Sequence, residues 1–113
     1  MVMRYTVTIS PRVVAKLARQ ADYIACRATE AVAEAYIAGL FAYFDGLDTF
    51  PERGHPRHDV LPGLWLIGYK RSANIAIVIE RPHVYVLGVY FGGEDYESAL
   101  RELVLGSGEQ WNA

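Results

Sequence analysis

One cysteine, Cys26, serves the whole 113-residue chain. A lone thiol excludes an internal disulfide and any cysteine-based zinc cluster. No apolar run reaches the roughly 18 residues that a membrane span needs. The opening Met1-Val2-Met3-Arg4-Tyr5 has no basic region leading into an apolar stretch, so no secretory signal is expected. These absences fit a reduced, cytoplasmic protein. There is no glycine-rich phosphate loop followed by Lys-Ser/Thr and no Gly-x-Ser-x-Gly elbow. Of the three histidines, His55 and His58 fall in a loop and no two lie four apart on a predicted helix. No metal site and no cofactor are therefore expected. Cys26 falls on a predicted helix without an activating partner, and reads as a small buried hydrophobe.

What is present is ordinary globular material: 52% hydrophobic and 21% charged residues. The length predicts one domain over residues 1–113, with the tail from about 106 to 113 open to being flexible. Charge is unevenly spread. Residues 1–52 carry 5 basic and 6 acidic side chains, residues 53–83 carry 5 and 2, and residues 84–113 carry 1 and 5. The middle segment, with Arg53, Arg57, Lys70, Arg71 and Arg81, is thus a modest positive zone of net +3. Such a zone suits either a solvated face or an acidic partner. The overall charge of −2 argues against broad nucleic-acid binding.

Hydrophobic periodicity orders the elements. Tyr5 to Ile9 alternates and is rich in β-formers, which predicts a strand. Ser10-Pro11 supplies a hydroxyl cap and a proline at the first helical position. Val14, Leu17, Ala21, Ile24 and Ala28 then form one apolar stripe. Thr29-Glu30 caps a second helix with the stripe Val32, Tyr36, Leu40, Phe44 and Leu47. The short link predicts an antiparallel helical hairpin. Three strands follow at 64–69, 75–80 and 84–91, with Ser72-Ala73-Asn74 as the first turn, predicting an antiparallel meander. Both faces of Ile75 to Ile79 are apolar, so this strand is expected at the centre, covered on both sides. Gly92-Gly93 ends the last strand, and 95–105 suits a short helix with Tyr96, Ala99, Leu100 and Leu103 on one side.

Between helices and meander stands Phe50-Pro51-Glu52-Arg53-Gly54-His55-Pro56-Arg57, a rigid basic corner. That corner, the Ser10-Pro11 opening with Ala21-Asp22-Tyr23-Ile24, and the run from Pro62-Gly63-Leu64 through Tyr69-Lys70-Arg71 to Val84–Tyr90 together resemble the RelE/ParE superfamily of toxins from type II toxin–antitoxin systems. The ParE-like branch is the closer resemblance, and it covers about residues 5–100. It implies an α+β fold of order β-α-α-β-β-β(-α), with an antiparallel sheet packed on the N-terminal helical hairpin. One departure stands out. Glu94 occupies the place where the family's pattern leads one to expect arginine.

The resemblance implies a plasmid-stabilisation toxin that inhibits DNA gyrase by binding, without catalysis. A cognate antitoxin, ParD-like or other, would neutralise it in a hetero-oligomer. No direct sequence-specific nucleic-acid binding is expected. Two alternatives stay open: a RelE-like ribosome-dependent mRNA endoribonuclease, and a non-toxic relative acting as a binding module. Candidate target contacts are Arg53, Arg57, Lys70, Arg71 and Tyr90; Arg53 and Arg57 are equally suited to bracing the corner. The ribonuclease alternative would draw on Arg57, Lys70, Arg71, Arg81 and Tyr90 as cations and proton carrier. Trp65, Ile67 and Tyr69 share one strand face, opposite Leu64, Leu66 and Gly68. A domain of this size does not readily bury both faces, which leaves one for docking. Leu17, Trp65, Ile67, Tyr69, Tyr85 and Phe91 are the candidate antitoxin contacts.

Overall fold

The computed structural model describes residues 4–105; the tail from 106 onward lies outside them. Strand β1 (Thr6–Ile9) leads into helix α1 (Pro11–Arg27), then α2 (Glu30–Asp45), β2 (His55–Pro56), β3 (Leu64–Tyr69), β4 (Ala73–Glu80), β5 (His83–Phe91) and α3 (Tyr96–Leu105). The caps act as expected. Ser10 Oγ accepts from the Arg12 N–H at 3.3 Å, and Thr29 Oγ1 accepts from the Val32 N–H at 3.1 Å.

The five strands form one sheet in the order β1-β5-β4-β3-β2. The meander β3-β4-β5 is antiparallel, as expected. The sheet as a whole is mixed, because β1 joins β5 in parallel. The chain between β1 and β5, which passes through both helices and three strands, permits that parallel pairing, which a tight turn does not. Ser10 N–H bonds to the Val86 carbonyl at 2.9 Å, pinning the first turn of α1 to β5.

That pin sets the rotation of α1 and corrects the stripe. Val13 and Leu17 face the sheet, whereas Val14 is 47% exposed. On α2 the buried positions are Ala33, Leu40 and Phe44, and Val32 is 51% exposed. Cys26 is exposed near the end of α1, not buried. The first meander turn also falls earlier than expected. Lys70 and Arg71 occupy it with φ of +47° and +56°, while Ala73 and Asn74 already pair with β5. Two left-handed residues in succession are the signature of a type I′ hairpin turn. Each costs about 1–2 kcal/mol without glycine. The strain is held by Ser72, whose Oγ donates to the Tyr69 carbonyl and bonds to the Tyr36 hydroxyl at 2.7 Å.

Both sheet faces are buried. On one, the helical hairpin packs Leu17, Leu40 and Phe44 against Ile67, Ile75, Ile77 and Val86. On the other, Leu100 of α3 seals Leu64, Leu66, Val78, Tyr85 and Leu87, with Val60, Leu61, Tyr96, Ala99 and Leu103 around them. The second face is therefore closed by α3 and the 60–61 turn. Among the described residues, no helix is long and apolar enough to cross a membrane.

Candidate functional site

The cationic corner is braced from within. Arg53 Nε donates to the Phe50 carbonyl at 2.6 Å, and its guanidinium lies over the Tyr43 ring. Arg57 forks onto Glu97 of α3 and Asp59, with 3.0 Å to each Asp59 oxygen. The Glu97 and Asp59 carboxylates raise the guanidinium's pKa and are themselves held below the usual carboxylate range by their bonds to it. Arg81 pairs with Glu52 at 2.7 Å. These three arginines hold the corner, α3 and the β4–β5 turn in place.

Lys70 and Arg71 differ. They sit exposed on the strained β3–β4 turn and form no ion pair among the described residues. The strand pairing brings that turn to the same end of the sheet as Phe91 and the β5–α3 link.

A β-bulge shapes this end. The β4–β5 register shifts between Ala76 and Ile77, so that Ile77 pairs with Val86 and Ala76 with Gly88, and Leu87 is the extra residue. Strict alternation would send Tyr90 to the hairpin face. The bulge reverses the phase, and Tyr90 joins Tyr85 and Leu87 on the α3 side. Gly88 makes room for it: a Cβ there would lie 2.1 Å from the Tyr90 hydroxyl.

Tyr90 is 7% exposed and lines a cleft of about 590 Å³ between α1, the edge of β5 and α3. Arg12, Lys16 and Arg19 form one wall; Ala99, Glu102 and Leu103 form the other. Burial, aided by Glu94, pushes the Tyr90 pKa up to about 12 against a smaller opposing pull from Arg12. Its hydroxyl thus stays protonated at ordinary pH, a donor and not a base. It makes no hydrogen bond to the described residues. Arg12, Lys16 and Arg19 were missed by the sequence reading, although their four-and-three spacing already places them on one helix face.

Glu94 has a definite role in this site. Its carboxylate accepts from the Phe91 N–H at 2.8 Å and from Lys16 Nζ at 2.8 Å. Burial raises its pKa, but the bonds from Lys16 and the Phe91 N–H outweigh this and leave it lowered. Lys16 is held 5.0 Å from the centre of the Tyr90 ring. The pair stands between the cleft and a second hollow of about 380 Å³ lined by Tyr23, Tyr36, Ser72 and Phe91. The Glu94 side chain is 41% exposed. Glu94→Arg is therefore expected to cost only about 0.5–1 kcal/mol, the scale of a surface pair. The swap Lys16→Glu/Glu94→Arg should recover part of the loss in a urea-denaturation cycle. A double variant no more stable than the sum of its parts would refute the pairing.

The remaining candidates are dispersed. Leu17, Ile67, Tyr69 and Tyr85 are buried in the two cores and offer a partner no surface. Trp65 and Phe91 are partly buried, with Trp65 edge-on to His58. The ribonuclease set is not assembled. Arg57 and Arg81 are committed to carboxylates, and Arg81 precedes β5 while Tyr90 nearly ends it, on the order of 20 Å away at about 3.3 Å per residue. No group of His, Cys, Asp and Glu among the described residues is arranged to hold a metal.

Residues 7–96 match the family described as "ParE toxin of type II toxin-antitoxin system, parDE". Among solved structures, a chain of the "Chromosomal ParDE TA system from P. aeruginosa" is similar, with a TM-score of 0.68 and 12% sequence identity. The alignment covers 79% of this chain and 97% of that one, a likeness of fold. No curated protein sequence matches.

Proposed function

The chain belongs to the ParE toxin family of type II toxin–antitoxin systems, and from that premise we propose that it is a cytoplasmic toxin that arrests growth by binding DNA gyrase. A cognate antitoxin neutralises it by forming a hetero-oligomer. The observation that carries the binding reading is the exposed pair Lys70 and Arg71 on a strained turn at the Phe91 end of the sheet. These two cations, together with Tyr90 across the ladder from Asn74, are the proposed target contacts. Binding without catalysis is favoured because Arg57 and Arg81 are occupied by carboxylates and lie apart from Tyr90. Glu94 is bonded twice and holds Lys16 in place, a structural role for the residue that stands where arginine was expected.

Expression in bacteria tests this. The chain alone should arrest growth and induce a DNA-damage response, and co-expression of the neighbouring gene should relieve both. Lys70→Glu/Arg71→Glu should abolish the arrest at unchanged soluble yield. Normal growth at good soluble expression of the unsubstituted chain would sink the toxin reading. Codon-phased cuts in messenger RNA would replace gyrase with the ribosome.

A further inference from the structure

The cleft between α1, β5 and α3 holds an unspent donor. Tyr90 is 7% exposed, and its hydroxyl has no hydrogen-bond partner among the described residues. No fully buried polar side-chain atom among those residues lacks a partner, so this hydroxyl opens onto the cleft. It lies over Gly88, in the space that a Cβ would fill. A donor that is dry except at its tip favours a ligand that accepts from it.

The α1 wall sets the ligand's charge. Arg12 and Arg19 form no ion pair and no ring contact among the described residues. They stand about two helical turns apart and so share a face. Lys16 lies between them with its charge already met by Glu94. Arg12 is near enough to the Tyr90 hydroxyl to pull against the effect of its burial. Two guanidinium forks and a phenolic O–H offer more donors than one carboxylate accepts well. The three terminal oxygens of a phosphomonoester match them, and carry a charge of about −1.5 to −2 at pH 7.

The opposite wall shapes the rest of the ligand. Glu102 is exposed there beside Ala99 and Leu103, with Leu87 and Gly88 on the floor. An apolar strip next to a carboxylate suits a flat ring that carries N–H donors, as a nucleobase does. The volume of about 590 Å³ falls within the span of about 300–1,000 Å³ usual for small-ligand sites. A longer nucleic-acid strand would carry further phosphates past Glu102 and meet repulsion.

We propose that this cleft binds a nucleoside monophosphate, with its phosphate held by Arg12, Arg19 and the Tyr90 hydroxyl and its base lying on Leu103 and donating an N–H to Glu102. The site stands whether or not the chain arrests growth.

Calorimetric titration of the full chain with the four ribonucleoside monophosphates tests the proposal. At least one should bind, and the matching nucleoside, which lacks the phosphate, should bind at least about tenfold more weakly. Arg12→Gln, Arg19→Gln and Tyr90→Phe should each weaken binding about tenfold or more, the scale of a hydrogen bond to a charged group. Both arginines are exposed and Tyr90→Phe keeps the ring, so thermal melts should show that all three variants remain folded. Glu102→Leu should weaken the nucleotide but leave ribose 5-phosphate unchanged, since only the base reaches that wall. Arg27→Gln, on the same helix but outside the cleft, should change nothing. No binding by any of the four at millimolar concentration would overturn the proposal. So would a nucleoside that binds as well as its monophosphate, or a nucleotide that tolerates Arg12→Gln/Arg19→Gln. A single-stranded RNA without a terminal phosphate that binds more tightly than every mononucleotide would overturn it too.

Discussion

Gly54→Ala is expected to destabilise the protein by roughly 2–5 kcal/mol, which combines a left-handed backbone cost of about 1–2 kcal/mol with an overpacking cost of about 1–3 kcal/mol. Gly54 has φ of +81°, and a Cβ there would lie 2.3 Å from the Leu66 carbonyl oxygen and 3.0 Å from the Ile67 Cα. Those atoms are backbone of β3 and cannot rotate away. The contact exists because β2 lies directly on β3, with His55 opposite Leu66 and Pro56 opposite Trp65. Displacing β2 would also strain the Arg57 fork onto α3, so loss at the corner should reach the second core. Urea denaturation should show a lower midpoint at unchanged slope. Gly46→Ala is the control: its φ is −67° and nothing lies within 4 Å of the added carbon. It should be neutral, or stabilising by about 0.4–1 kcal/mol. Equal effects at the two glycines would refute the corner's close contact.

Phe44→Ala is expected to cost about 3–5 kcal/mol and to lower Tm by at least about 12 °C in a domain of this size. Phe44 has no exposed surface and meets the Phe41 ring edge-on at 5.9 Å. It lies in the hairpin core with Leu40 and Leu47, between α2 and the sheet. Its removal leaves a cavity that rigid strands cannot fill. Val32→Ala should change stability by less than about 0.5 kcal/mol, because Val32 is largely in solvent. Periodicity placed both residues on one stripe, so the pair separates the helix's real face from its apparent one. A thermal melt that moved equally for both would show that the α2 orientation is wrong.

The helix caps, the order of elements apart from the two-residue β2, which was read as loop, and the covering of β4 on both faces were legible from residue spacing. Caps and turns are local, and a cap at Ser10 or Thr29 needs only its own next turn. Helix rotation was not legible: Val13 faces the sheet because the Ser10 N–H is tied to Val86, 76 residues away. The same limit applied to the arginines. Arg53, Arg57, Lys70, Arg71 and Arg81 look alike as a basic segment. Arg53 is spent on the nearby Phe50 carbonyl, Arg57 and Arg81 are spent on carboxylates brought by other parts of the chain, and the other two form no ion pair among the described residues.

By itself the sequence determined the family, the α+β plan and the presence of a rigid corner before the meander. Each of these follows from local propensity or from motifs read in series. Tertiary structure alone decided where binding surface remains. It closed the second sheet face with α3. It reversed the phase of β5 at Leu87, placing Tyr90 beside Arg12 and Lys16. The reason is physical: a single extra residue flips every later side chain of a strand. Only pairing with β4 reveals that residue, so no pattern within β5 could disclose it.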